Sequence, residues 1–150
     1  MKQSDEALSC FKKGFSCSQA VLSAFSAQFR LDHDKALKIA AGFGGGMGRM
    51  ALTCGAVTGA FMVLGLKHGG TTAEDLPAKD KTRESVKEFS QKFQARNGSI
   101  TCKDLLGCDV STPEGNDYAR KQGLTKTRCP KFVGDAAEIL EQMLSTPEKG

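Results

Sequence analysis

Six cysteines are the residues of this 150-residue chain that offer the most chemistry: Cys10, Cys17, Cys54, Cys102, Cys108 and Cys129. A thiolate attacks disulfides and binds soft metal ions, so thiols serve either redox or metal chemistry. We recognise no export signal near Met1 and therefore expect a cytoplasmic protein. In that compartment so many cysteines favour metal or redox chemistry over structural disulfides. No CxxC pair is present, which excludes the thioredoxin-type and zinc-ribbon signatures.

Four of the six cysteines share one kind of position, the start of a predicted helix. The four starts are Ser16-Cys17, Thr53-Cys54, Thr101-Cys102 and Cys129-Pro130. Helix N-termini carry partial positive charge and unpaired N–H groups, so we expect a lowered pKa at each of these thiols. The same four cysteines also align with the apolar stripes of their helices. A cluster of functional thiols therefore competes with the simpler interpretation that each cysteine only fills the core.

Cys10 and Cys108 differ from the other four cysteines. Cys10 lies inside a weak first helix, and Cys108 follows Gly107, beyond the end of a short helix. We expect neither to belong to the site, although either is a possible accessory ligand or resolving thiol.

Helical periodicity extends along nearly the whole chain, and no alternating strand pattern is found. The main predicted helices span about 16–29, 32–41, 51–66, 80–96 and 130–145, with a weak helix over 4–13 and a short one over 102–106. The segment 109–128 is the least regular, with one or two turns near 116–122. We predict an all-α fold: residues 1–150 form a single compact bundle of about five to six helices around a buried central helix.

The central helix, predicted over 51–66, has almost no charge. Gly55, Ala56, Gly59 and Ala60 recur on it at four-residue spacing, which lets a neighbouring helix approach closely. An apolar helix rich in glycine also makes the chain a candidate homodimer.

Several stretches resemble one known family over nearly the whole chain. They are Phe15-Ser-Cys-Ser-Gln-Ala-Val21, Ala41-Gly-Phe-Gly-Gly-Gly-Met-Gly-Arg-Met50, Thr53-Cys-Gly-Ala-Val-Thr-Gly59, Gly98-Ser-Ile-Thr-Cys-Lys-Asp-Leu-Leu-Gly107 and Cys129-Pro-Lys-Phe-Val133. The chain resembles the C_GCAxxG_C_C family of redox-active proteins, and a similar domain occurs in split-Soret cytochromes. The characteristic cysteines of the family fall on Cys17, Cys54, Cys102 and Cys129. The resemblance implies a four-thiolate metal site suited to an iron–sulfur cluster of the [2Fe–2S] type. Covalent haem is not implied, because the chain has no CxxCH.

The glycine run Gly42–Gly48 lacks the features of a phosphate-binding loop: no strand precedes it and no Gly-Lys-Ser/Thr ends it. We expect a tight turn that passes close to the helix start at Cys54. With a cluster in place, N–H groups of Gly44, Gly45 and Gly46 would donate hydrogen bonds to its sulfurs, and Arg49 would add positive charge. These four residues are our candidate cofactor-binding set, and we assign no catalytic residue.

Composition narrows the range of partners. The net charge of +4 comes from 21 basic and 17 acidic residues without a basic cluster, so we expect no nucleic-acid binding. No apolar run reaches the ~18 residues of a membrane helix, so we expect no membrane span.

Three functions remain open at this point, and all use the same four cysteines. The first is an iron–sulfur protein for electron transfer or redox sensing, which needs a redox partner protein. The second is a metal-free thiol–disulfide protein, and the third is a structural zinc module.

Overall fold

The computed structural model describes residues 2–145. Its helices are α1 (Gln3–Lys12), α2 (Cys17–Ser26), α3 (His33–Ala40), α4 (Gly55–His68), α5 (Leu76–Asn97), α6 (Cys102–Leu106), α7 (Pro113–Lys121), α8 (Leu124–Thr127) and α9 (Cys129–Ser145). Short 3-10 turns, Ala27–Phe29 and Ala41–Phe43, extend α2 and α3. Apart from one isolated antiparallel bridge between Thr53 and Thr101, the regular structure of residues 2–145 is helical. The all-α prediction is therefore confirmed.

Helices α2 and α4 form the centre of the molecule and pack closely on each other. A Cβ atom built on Gly59 would lie 2.9 Å from the Ser18 carbonyl oxygen and 3.2 Å from the Val21 Cβ. Glycine is required there because any side chain would push the two backbones apart. The predicted close approach is confirmed, and the glycine face of α4 packs within the chain against α2.

The remaining long helices cover this central pair. α1 packs on α2 and α9, α3 packs on α2, and α5 packs on α4 and α9. Aromatic rings pack between α4, α5 and α9. The distance between ring centroids is 6.1 Å for Phe61 and Phe89, 6.0 Å for Phe89 and Phe93, and 6.4 Å for Phe93 and Phe132. Phe89 and Phe93 are fully buried on the inner face of α5. The opposite face of α5 is rich in exposed charge.

The predicted number of helices, five to six, is too low. Most of the difference lies in residues 109–128, which form α7 and α8. Helix α7 begins with a Thr112 cap, whose hydroxyl accepts from the Gly115 N–H at 3.0 Å, followed by Pro113. Periodicity did not reveal the helix because Ala119 is its only buried residue among those described.

Two boundaries also differ from prediction. Helix α5 begins at Leu76 rather than near 80, because Asp75 caps it by accepting from the Ala78 N–H at 3.1 Å. Helix α4 begins at Gly55 rather than near 51, because Ala51 has a left-handed backbone and the residues from Leu52 to Cys54 pair with the segment before α6. In the described range, no helix combines the length and the apolar character that crossing a membrane requires.

Candidate functional site

The four cysteines predicted at helix starts lie at helix starts. Cys17, Cys102 and Cys129 are the first residues of α2, α6 and α9, and Cys54 is the N-cap of α4. Cys54, Cys102 and Cys129 are 5%, 7% and 7% exposed, and Cys17 is half-buried. All four are free thiols. The predicted inward orientation is therefore confirmed for three of them and holds in part for Cys17.

Side-chain caps set the start of the two helices in which a hydroxyl residue precedes a first-turn cysteine. At α2, Ser16 and Gln19 form a capping box: the Gln19 N–H donates to the Ser16 hydroxyl, and the Ser16 N–H donates to the Gln19 carboxamide oxygen at 3.0 Å. At α6, the Thr101 hydroxyl accepts from the Asp104 N–H. These local bonds place Cys17 and Cys102 directly after a cap residue.

Backbone hydrogen bonds join the helix starts of Cys54 and Cys102. The Cys54 N–H donates to the Ile100 carbonyl at 2.8 Å, and the Cys102 N–H donates to the Leu52 carbonyl at 2.6 Å. These bonds flank the antiparallel bridge between the two threonines that precede the cysteines. The relative position of the two thiols is therefore held by main chain.

Arg128 links the Cys102 helix to the Cys129 helix. Its guanidinium donates to the carbonyls of Leu106 at 2.8 Å and Leu105 at 3.5 Å, at the C-terminal end of α6. A cation at this end of a helix satisfies carbonyls that have no partner within the helix. Since Arg128 directly precedes Cys129, the contact ties both helix starts to one place.

The ionisation of Cys17 depends on that of Cys129. The Cys17 thiol donates a hydrogen bond to the Cys129 sulfur, and this bond is the largest cause of a raised pKa at Cys17 and a lowered pKa at Cys129. Charges on Cys54 and Cys102 raise the pKa of Cys17 further. Since each of these thiols alters the ionisation of Cys17, the fold has brought four helix starts to one small volume.

The prediction that helix starts lower the pKa of all four thiols is wrong for three of them. Burial raises the pKa of Cys54 to about 11, although the backbone amides of Ala56 and Val57 act in the opposite direction. Burial, followed by the charges of Cys54 and Cys129, raises the pKa of Cys102 to about 12. Loss of water and repulsion between neighbouring thiolates outweigh the positive end of the helix.

The thiols fit a metal centre in their chemistry but not in their present arrangement. Within residues 2–145, no three or more Cys, His, Asp or Glu side chains are placed to hold a metal ion. Four sulfurs that line one cavity are nevertheless a soft donor set, and a cation among them would offset the repulsion between their thiolates. Metal binding would then require side-chain rotation that draws the sulfurs together.

The glycine run forms a strained turn against this thiol group. Five consecutive residues, Gly45 to Arg49, have positive φ between 62° and 70°, and two of the five are not glycine. A Cβ atom on Gly46 would lie 2.6 Å from the Cys102 Cβ, and one on Gly44 would lie 2.8 Å from the Ser16 Cβ. The predicted close approach of this turn is thus to the Cys102 helix start as well as to Gly55 of α4, which lies against Phe43 and Cys17.

The thiol group and the glycine turn line one open cavity of about 1570 Å³. The four cysteines line it together with the predicted cofactor-binding residues Gly44, Gly45, Gly46 and Arg49. Three apolar side chains, Phe11, Phe15 and Phe132, line it as well. These residues, all singled out from the sequence, therefore share one cavity.

The two remaining cysteines lie in different surroundings. Cys10 lies within α1, where its sulfur accepts from the Ser23 hydroxyl at 3.6 Å, and it does not line the cavity. Cys108 lies close enough to raise the pKa of Cys102, together with Asp109. Cys108 is therefore nearer to the thiol group than its place beyond a helix end indicated.

Sequence reasoning missed two positioning features of the site. One is the bridge between Thr53 and Thr101, for which the repeated Thr-Cys dipeptide was the available signal. The other is Arg128, whose only signal was its place directly before Cys129.

Comparison with known proteins gives one match. The family model described as "Putative redox-active protein (C_GCAxxG_C_C)" matches residues 15–143. No curated protein and no solved structure matches the chain.

Proposed function

The chain belongs to the C_GCAxxG_C_C family, described as redox-active proteins, and on this premise we propose that Cys17, Cys54, Cys102 and Cys129 act as one redox centre. One observation carries the proposal: the four thiols come from four separate helix starts and line one cavity. Isolated core cysteines would not be expected to converge in this way. The redox role fits a group of sulfurs that lines an open cavity.

We propose further that these four thiolates hold an iron–sulfur cluster of the [2Fe–2S] type. When bound, such a cluster supplies one-electron transfer. Cys54 and Cys102 would form the rigid side of the ligand set because backbone bonds hold their helix starts. Gly44, Gly45 and Gly46 would offer N–H groups to the sulfurs, and Arg49 would add positive charge.

Anaerobic purification tests the cluster. We expect a coloured protein with visible absorption and about two iron and two sulfide per chain. Cys102→Ser should lose most of the iron, whereas Cys10→Ser, at a cysteine outside the cavity, should retain it. A colourless, iron-free protein would contradict the cluster, and so would stoichiometric zinc without a visible band.

A metal-free dithiol formed by Cys17 and Cys129 is the second candidate, because their direct hydrogen bond specifically favours it. Its substrate would be a disulfide carried by a partner molecule. The substrate disulfide would gain two electrons and two protons and become two thiols, while Cys17 and Cys129 lose the same and form one S–S bond.

Free-thiol counting separates the two candidates. For the dithiol, metal-free protein exposed to a disulfide such as oxidised dithiothreitol loses two thiols per chain, and peptide mapping finds them at Cys17 and Cys129. Cys54→Ser should leave this change intact, whereas Cys17→Ser should abolish it. Either chemistry requires a redox partner that delivers or accepts the electrons.

A further inference from the structure

The lining of the cavity is positively charged as well as rich in thiols. Five of its lining residues are cations, and among the described residues no aspartate or glutamate lines it: the cations are Lys12, Arg49, Arg120, Lys121 and Lys126. The chain as a whole carries nearly as many acidic as basic residues, 17 against 21. This distribution therefore concentrates positive charge at one opening.

These cations are also largely without partners. Arg120 pairs with Asp117 at 2.7 Å. In the described part of the chain, the other four lie within ion-pair distance of no carboxylate. Outside the cavity, Arg96 contacts both Asp135 and Glu138, and Lys131 contacts Asp135.

Apolar side chains line the same cavity as the cations and the thiols. Phe15 is 37% exposed, and Phe11, Phe132, Leu105 and Val110 belong to the same lining. Sites for small organic molecules are concave and mostly apolar, with a few polar groups that fix the ligand. A volume of about 1570 Å³ accommodates such a molecule.

We propose that this cavity binds a small organic anion, with its apolar body against the phenylalanines and its negatively charged group among Lys121, Lys126 and Arg49. The charged group is a carboxylate, phosphate or sulfonate, since unpaired lysines and arginines attract any of these oxyanions. An acidic protein surface would need only the cations for binding. The concave, apolar lining therefore favours a small molecule as the ligand. The binding site does not depend on what the thiols hold.

Paired fluorescent probes test both requirements. Anilinonaphthalene sulfonate is an aromatic anion, and N-phenylnaphthylamine has the same aromatic body without the charge. We expect the anion to bind the folded full-length chain saturably, with one probe per chain, and the neutral probe to bind at least about tenfold more weakly. Raising the salt concentration should weaken the binding of the anionic probe and leave that of the neutral probe unchanged.

Charge variants locate the site. The double variant Lys121→Gln, Lys126→Gln should bind the anionic probe about threefold to tenfold more weakly. Arg49→Gln, on the glycine turn, should also bind it more weakly. The matched control is Lys79→Gln with Lys87→Gln, which removes the same charge from exposed positions outside the cavity and should leave binding unchanged. Circular dichroism verifies that each variant is folded.

Three outcomes would overturn the proposal: no saturable binding, equal affinity for both probes, or equal weakening by the cavity and control pairs. The first outcome, with strong salt-dependent binding of acidic proteins, would assign the cations to a protein partner instead. None of these results depends on iron content, so the proposed redox centre is tested separately.

Discussion

The two halves of the thiol group are held in different ways. Backbone hydrogen bonds fix Cys54 and Cys102 to each other's segments, whereas among the described residues no main-chain hydrogen bond joins Cys17 and Cys129, whose thiols affect each other's ionisation. Ionisation follows the same division: burial is the main cause of the raised pKa at Cys54 and Cys102, and a direct contact sets opposite directions at Cys17 and Cys129.

This difference separates a scaffold from a reactive pair. Cys54 and Cys102 are buried, remain protonated at neutral pH and cannot move apart without loss of main-chain bonds. Cys17 is the more exposed member of the other pair and lines the cavity. We therefore expect chemistry at the site to begin at the pair Cys17 and Cys129, and disruption of the backbone-held pair to damage the fold itself.

The largest effect should come from Gly46→Ala, which attacks the backbone-held pair. The new Cβ would clash with Cys102 at 2.6 Å, in addition to the cost of a left-handed backbone. Gly48→Ala is a matched control, because Gly48 also has positive φ but its Cβ would meet only one atom, at 3.9 Å. Chemical denaturation should show Gly46→Ala to be about 2 kcal/mol less stable than the control. Equal losses would mean that the approach to Cys102 is not tight.

Arg128→Ala should remove the contact between the end of α6 and the residue that precedes Cys129. It removes a charged donor from two α6 carbonyls, which should lower the free energy of unfolding by about 1.5 kcal/mol. Lys126→Ala, at an exposed residue of the neighbouring helix, should change the stability by less than about 0.5 kcal/mol. Thermal denaturation of both variants measures the difference, and the link is refuted if they are equally stable.

Alkaline pH should destabilise the reduced, metal-free chain through the backbone-held pair. The folded pKa of Cys54 and of Cys102 lies above the unfolded value, so the stability they contribute is present at pH 8 and is lost as pH rises toward 11 or 12. Between pH 8 and pH 10 we expect a loss of about 1.3 kcal/mol for each thiol. Cys54→Ser should remove its share of the loss, whereas Cys10→Ser should retain the whole of it in denaturation curves at both pH values.

The smallest effect concerns the reactivity of Cys17. Cys129→Ala removes the largest cause of its raised pKa, so Cys17 should be alkylated at least about threefold faster at pH 8. Cys54→Ala removes only a lesser cause and should accelerate the reaction less. Peptide mass spectrometry after timed iodoacetamide treatment gives the rate for each cysteine. Equal acceleration in the two variants would show that the direct contact is unimportant.

Local signals predicted most of the helical architecture. The Ser16–Gln19 capping box, the Thr101 cap and the stripe of Phe89 and Phe93 each depend on residues within a few positions of one another. Helix α7 was predicted only as one or two turns near 116–122, because its start signal, Thr112-Pro113, is not followed by an apolar stripe. The start of α4 was misplaced because residues before Cys54 pair with a segment more than 40 positions away.

The direction in which the pKa of each thiol shifts could not be predicted from the sequence in the same way. A helix start is a local feature, and its partial charge favours a thiolate. Burial and the repulsion between thiolates depend on which chain segments surround the sulfur, and at Cys54 and Cys102 those effects are the larger ones.

The sequence by itself predicted which four cysteines lie together along one cavity, because the caps and the periodicity that mark a helix start depend on short segments of chain. Only the tertiary structure decided how the four divide, with a backbone bridge between two of them and a sulfur contact between the other two. It also decided that unpaired cations surround the cavity, since lysines and arginines scattered between Lys12 and Lys126 meet only after folding. Contacts between distant segments carry no local signal, so composition showed only a modest net positive charge.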